Sequence, residues 1–294
     1  MNAAGARIVL LALAIAYDGT GFHGFQRQPD VRTVEKVFFE RLRKAGLADN
    51  VPRNYSYTGR TDAGVSALWQ CVAFEPKRSV SCSEIADILS DGKELIVWGC
   101  RKGLPQGFNA RKHALWRDYV YIDDPSNYKC CDLEELNTLL QRLPRIRNHR
   151  FLYKDHKNLP EWYLDRRIID ARCWLFRDHL ILWIRGAGFP KHYVRRLVDF
   201  LRKHRCGKSF DESVESWVPG AAEPERLFLS GVKYGFDPEE TRYLPLVESI
   251  VWNVAAKTGL FDPSVLVSFL SLNELVLSPF SRFSSQPPSS RFLL

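Results

Sequence analysis

The sequence predicts an α+β fold and permits two similar units set side by side. Short apolar runs bounded by turn residues alternate with stretches of helical period. The two halves share a coarse strand–helix–strand–strand order. No Gly-rich dinucleotide or phosphate loop accompanies the strands, which separates the chain from doubly wound nucleotide folds. Periodicity does not fix the order of the strands.

The elements follow in order. Ile8 to Ala16 is an apolar run too short to cross a membrane. Arg7 before it raises a signal peptide, but the run lacks a clean cleavage site and leads straight into Tyr17-Asp18-Gly19-Thr20. It reads as a buried central strand closed by an Asp-Gly turn. Thr33 to Ala45 has helical rhythm, with Thr33 as N-cap and Val34, Val37, Phe38 and Leu42 on one stripe. Tyr55 to Thr58 leads into a glycine-flanked turn, and Leu68 to Phe74 is the strand leaving it. Ser83 to Leu89 reads as a short helix and Leu95 to Cys100 as a strand. Basic Arg101 to Gly107, with Pro105, is the best domain boundary.

Beyond it, Ala114 to Ile122 is a strand with Tyr119 and Tyr121 on one face. Leu133 to Leu143 is a helix. Arg145 to Asn158 is basic and irregular, a surface loop or insertion. Ile168 to Phe176 and His179 to Arg185 form a hairpin around Arg177-Asp178. His192 to His204 and the shorter Glu212 to Trp217 are helices. Leu227 to Tyr234 and Ser249 to Val254 are closing strands. Ser278 to Leu294 holds six serines and little periodicity, the pattern of a mobile or draped tail. The expected domains are 1–104, 105–277 and the tail 278–294.

Composition bounds the function. Of 294 residues, 45% are apolar and 26% charged, and 42 Lys and Arg against 34 Asp and Glu give +8, which favours a polyanionic partner. Seven scattered cysteines contain no C-x-x-C pair, so neither a disulfide framework nor a zinc site is suggested, and a reducing compartment is expected.

The most informative stretch is Thr58-Gly59-Arg60-Thr61-Asp62-Ala63-Gly64-Val65-Ser66-Ala67. It sets one acid among small residues, two positions after an arginine. Glycines on both sides allow a tight turn and close approach of a ligand. A turn carboxylate that only caps backbone N–H groups is the plainer alternative. Tyr119 and Tyr121 suit either cross-strand packing or a platform for a flat base. In the helix from His192, Val194, Leu197, Val198 and Leu201 form the buried stripe. Arg195 and Arg202 lie along one border of it, and Arg196 and Lys203 point outward. From that border Arg195 can reach a crevice and hold a carboxylate ionised. His23 has no metal-ligand companion nearby.

Together these residues resemble the TruA family of tRNA pseudouridine synthases. Tyr17-Asp18-Gly19-Thr20-Gly21-Phe22-His23-Gly24-Phe25-Gln26 is similar to the family's opening motif, with Phe25 where tryptophan is usual. Gly59 to Ala67 is similar to its nucleophile motif, with Ser66 where histidine is frequent. Phe108-Asn109-Ala110-Arg111 followed by Arg117-Asp118-Tyr119-Val120-Tyr121 matches the next segment. Phe189-Pro190-Lys191-His192-Tyr193-Val194-Arg195 is a looser match, with Tyr193 for a common methionine, and Glu223 to Tyr234 is a fainter echo.

The resemblance implies the pseudouridine synthase fold: two ferredoxin-like units whose antiparallel sheets meet around a basic RNA-binding cleft. It implies Asp62 as the essential acid, Tyr119 as the active-site tyrosine, Arg195 as the partner of Asp62, and Arg60 displacing or holding the target nucleotide. His23, Arg60, Arg111, Arg117, Lys191, His192 and Arg202 are the candidate RNA contacts. The implied substrate is tRNA, at uridines 38–40 of the anticodon stem-loop, bound by a cytoplasmic homodimer. Uridine and pseudouridine contain the same atoms, so no cofactor and no metal is expected. Three rivals remain: a non-catalytic RNA-binding protein on the same scaffold, a synthase acting on another tRNA position or RNA, and a small-molecule α+β enzyme.

Overall fold

A computed structural model of the chain describes residues 9–128, 132–146, 149, 152, 160, 168–204 and 220–272. The chain divides into two units, one from Met1–Leu115 with Leu229–Leu294, the other from Trp116–Phe228.

In the first unit, strand β1 (Leu10–Tyr17) is buried along its whole length. It lies between β3 (Ser66–Glu75) and β4 (Leu95–Leu104), antiparallel to both, with Leu13 opposite Val72 on one side and Cys100 on the other. A strand covered on both faces reads as an unbroken apolar run, which is why Leu10 to Ala16 carries no polar residue. β2 (Arg53–Tyr57) pairs with the far side of β3. Helix α1 (Val34–Lys44) starts at Thr33, whose side chain accepts the Lys36 amide. Its Val34, Phe38 and Leu42 are buried, and Phe38 meets Phe74 of β3 edge-on at 5.7 Å. Helix α2 is Cys82–Leu89, capped by Ser81.

In the second unit, β5 (Trp116–Asp123) pairs antiparallel with β7 (His179–Gly186), which pairs with β6 (Ile168–Phe176). The β6–β7 hairpin turns at Arg177-Asp178 as expected, with Arg177 in the left-handed region at φ 52°. Helix α3 (Leu133–Arg142) is tied to β6 by Asn137, whose amide donates to the Cys173 carbonyl at 2.9 Å and accepts the Cys173 N–H at 2.8 Å. Helix α4 (Tyr193–Lys203) buries the expected stripe Val194, Leu197, Val198 and Leu201. Strand β8 (Leu227–Lys233) begins in this unit and continues into the first, where β9 (Glu239–Glu240) pairs with β4. Both units thus mix helices with antiparallel strands, as the α+β class requires.

Two expectations are overturned. Ser249 to Val254 is not a strand: it lies inside helix α5 (Val247–Thr258). Val247, Ile250, Val251, Val254 and Ala255 are its buried residues, spaced by three and four, and Gly259 at φ 64° closes it. A further helix, α6 (Pro263–Leu272), follows. The cysteines also form a disulfide, Cys82–Cys100, which ties the start of α2 to β4. Cysteine spacing therefore no longer argues for a reducing compartment. Cys71 and Cys173 are free and buried, and burial pushes each thiol up to about 12. The expected 212–217 helix, nearly all of the basic 145–158 segment and the 278–294 tail lie outside the described residues.

Candidate active site

The acid loop is built by backbone packing. Residues 17–26 run against residues 58–66, and the contacts leave room only for glycine at two points. A Cβ on Gly19 would fall 2.0 Å from the Val65 carbonyl oxygen. One on Gly24, at φ +89°, would lie 2.9 Å from the Thr61 carbonyl oxygen and 3.4 Å from the Asp62 carbonyl carbon. The two segments are then stitched together. The Phe25 amide donates to the Thr61 carbonyl at 3.1 Å and the Gly64 amide to the Phe22 carbonyl at 3.3 Å. Tyr17 Oη and Thr61 Oγ1 are 2.8 Å apart, and the Gly19 amide donates to Ser66 Oγ at 2.9 Å. Buried Ser66 thus supports the loop from within. The Val34 and Glu35 amides, two of the donors that a helix start leaves open, bond the Gly24 and Phe25 carbonyls. Asp62 is half-buried at the crest of this loop, beside exposed Ala63.

A third matched segment joins the same unit. Tyr234 donates its hydroxyl to the Ala110 carbonyl at 2.7 Å and stands 2.6 Å from Thr58 Oγ1. The Ala110 amide donates to Ser56 Oγ at 3.0 Å. Phe108 stacks on His113 at 5.3 Å, while the Asn109 carboxamide oxygen accepts the Arg111 and Lys112 amides. His23, Arg60 and Arg111 are all exposed on this unit, and Arg60 Nε lies 3.4 Å from Tyr57 Oη.

The second unit gathers the remaining segments. Tyr119 on β5 is nearly buried and meets Phe189 edge-on at 5.1 Å. Phe189 packs on Tyr193, the residue that opens α4. His192, at φ 62°, sits at the N-cap position, and Lys191 before it is exposed. Arg195 is half-buried, and its Nε donates to the Ala222 carbonyl at 2.6 Å. Buried Arg117 donates to the Ala187 carbonyl and so holds the turn after β7. Beside Tyr119, Asp118 is fully buried and takes a bidentate grip from Arg185 at 2.7 and 2.9 Å. The pair faces directly across β5 and β7, and the two aligned N–H···O bonds lock this part of β5.

Tyr121, on the same strand face as Tyr119, is fully buried and donates to Glu223 Oε2 at 2.8 Å. Arg202 donates twice to Asp123, at 2.8 Å each, and once to Glu223 at 2.7 Å. Burial pushes the Tyr121 phenol well up, so it stays protonated and a donor. Burial opposes the Arg202 charge, yet the bonds to Asp123 and Glu223 prevail and hold it above the ordinary arginine range. The Arg202 bond holds Glu223 down to about 2. Among the described residues no group of three or more His, Cys, Asp or Glu side chains is placed to hold a metal ion, and no helix is long and apolar enough to cross a membrane.

Known proteins with similar sequences decide the family. No family model matches the chain. The chain is 32% identical over 249 residues to the tRNA pseudouridine synthase A of Methanothrix thermoacetophila, covering 79% of this chain and 86% of the relative. It is 34% identical over 238 residues to that of Natronomonas pharaonis, covering 76% and 84%. The chain belongs to the tRNA pseudouridine synthase A family. It is 39% identical to the Methanosarcina mazei member over a shorter stretch of 132 residues, 44% of this chain and 48% of the relative. This is a family of enzymes, isomerases by reaction class.

The segments that carried the resemblance to pseudouridine synthases fall into two groups. The first unit holds residues 17–26, 58–67 and 108–111. The second holds 117–121 and 189–195. The sequence places Asp118, Glu223 and Tyr234 in segments resembling the family but assigns no role to them or to Arg185. Asp118 and Arg185 are opposite charges that face each other only in the β5–β7 pairing, 67 residues apart in sequence. Tyr234 and Glu223 bond partners 176 and 102 residues away, which no local pattern announces.

Proposed function

We propose that the protein isomerises uridine to pseudouridine in tRNA, with Asp62 as the essential acid. Family membership and the acid loop support this reading. The observation that carries it is the packing of the opening motif onto the Asp62 loop, with glycine required at both close approaches. That arrangement presents a carboxylate at the crest of a rigid turn.

The reaction breaks the N1–C1′ bond, turns the uracil and joins C5 to C1′. Three courses lead there: carboxylate addition to C6, addition to C1′, or loss of the base through a glycal. Each uses an ionised acid. Arg195 supplies the countercharge to the Asp62 carboxylate. Tyr119 stacks on the extruded uracil, and its hydroxyl assists removal of the C5 proton. Extruding a stacked nucleotide costs a few kcal/mol, which phosphate contacts offset. His23, Arg60, Arg111, Lys191 and His192 make those contacts, with Arg60 holding the target nucleotide. Arg117 and Arg202 act through the internal bonds described above. In this reading the two units are ferredoxin-like, the first presenting the acid and the second completing the site across a basic cleft. The protein works as a homodimer that clasps tRNA in the cytoplasm, on uridines of the anticodon stem-loop.

The test is to map pseudouridine in unmodified tRNA transcripts incubated with the purified protein. New pseudouridine in the anticodon stem-loop is the expected result. Its appearance only elsewhere would move the target, and its absence from every transcript would refute the activity.

A further inference from the structure

We infer that Glu223 is a positioning residue for Arg195, acting through the backbone of Ala222. The inference rests on the reading of Arg195 as the partner of the essential acid.

Residues 220–223 lie against α4 and bond three of its residues, Arg195, Asp199 and Arg202. The Gly220 amide donates to Asp199 Oδ2 at 3.1 Å. A side chain at 220 would push that carboxylate aside, since a Cβ would sit 2.7 Å from Asp199 Oδ2. Next, the Ala222 amide donates to the Arg195 carbonyl at 3.0 Å, and Arg195 Nε donates back to the Ala222 carbonyl at 2.6 Å. At the far end Glu223 is held by donors from two elements, Arg202 Nη2 of α4 at 2.7 Å and Tyr121 Oη of β5 at 2.8 Å.

A guanidinium is planar, so fixing its Nε–H direction fixes where its two terminal nitrogens point. Here the Nε–H points at the Ala222 carbonyl. That carbonyl sits one residue from a carboxylate anchored at two points. Arg202 is itself immobilised by its paired bonds to Asp123. The chain of restraint runs from Asp123 through Arg202 and Glu223 to the Ala222 carbonyl and the plane of Arg195. Side-chain misplacement of an ångström at a reacting centre costs about a hundredfold in rate, so a partial loss of this restraint costs about tenfold.

The experiment is a double-mutant cycle on the full chain, read as single-turnover tritium release from uracil-C5-labelled tRNA at saturating protein. Glu223→Ala is expected to slow release about tenfold with tRNA affinity unchanged. Glu223→Gln, which still accepts from Arg202, is expected to recover most of the rate. In an Arg195→Ala background, Glu223→Ala should cause no further loss, because the group it positions is gone. Tyr121→Phe removes one of the two donors and enters the same cycle if Glu223→Ala does not fold. An equal effect of the Glu223 or Tyr121 change in both backgrounds, or a change in affinity alone, would overturn the inference while leaving the role of Arg195 intact. An Arg195→Ala protein that releases tritium at the parental rate would overturn both.

Discussion

Replacing Gly24 by Ala should slow catalysis as well as destabilise the fold. Two costs arise at this position. Alanine at φ +89° adopts a left-handed backbone, worth about 1–2 kcal/mol. The new methyl would also lie 2.9 Å from the Thr61 carbonyl oxygen, 3.3 Å from the Ala63 amide and 3.4 Å from the Asp62 carbonyl carbon. Those atoms are backbone of the acid loop, and none is the tip of a pliable side chain. Relieving the closest contact takes a shift of about 0.5 Å, and by the scaling of about a hundredfold per ångström this lowers the rate about tenfold. Gly46→Ala is the control. It carries a similar torsional cost at φ +67° but meets nothing within 4 Å. Both variants should lose about 1–2 kcal/mol, or a few degrees in melting temperature. Only Gly24→Ala should slow single-turnover tritium release from tRNA. A Gly24→Ala protein with reduced stability and the parental rate would refute the reasoning, as would an equal slowing by Gly46→Ala.

Three further outcomes concern stability. Asp118→Ala leaves the Arg185 guanidinium without its fully buried partner and should cost about 3 kcal/mol in urea unfolding. Glu223 is held down to about 2 from an ordinary value of 4.5, so its contribution is fully present above about 4.5 and lost as pH falls through about 2. With its side chain 49% exposed, screening leaves about 1 kcal/mol, measured as the stability difference between parent and Glu223→Gln across that range. Reducing Cys82–Cys100, which are 18 residues apart, should cost about 3 kcal/mol, and a Cys82→Ala, Cys100→Ala protein should lose that part of the response to reductant.

Local signals made much of the fold legible. Leu10 to Ala16 announced a strand covered on both faces, Thr33 announced the start of α1, and the two runs flanking Arg177-Asp178 announced the hairpin. α5 was misread because Ile250, Val251 and Val254 are β-branched and fill a short window like a strand. Only the longer window from Val247 to Ala255 shows the helical period. The disulfide was missed because its two cysteines share no motif, one opening a helix and the other within a strand. In the candidate site, a glycine-flanked acid is a local pattern, so Asp62 stood out. The supports of Arg195 did not, because Ala222 bonds it through the backbone, where residue type leaves no mark. The Arg202–Glu223 pair joins residues 21 apart in sequence, beyond the reach of any local pattern.

The central claim is that an ionised Asp62 performs the isomerisation. The most direct measurement is single-turnover tritium release by Asp62→Asn on saturating tRNA, with tRNA affinity measured on the same protein. An isosteric amide keeps the loop but removes the charge, so product formation is expected to vanish while binding persists. Release at the parental rate by the Asp62→Asn protein would contradict the account.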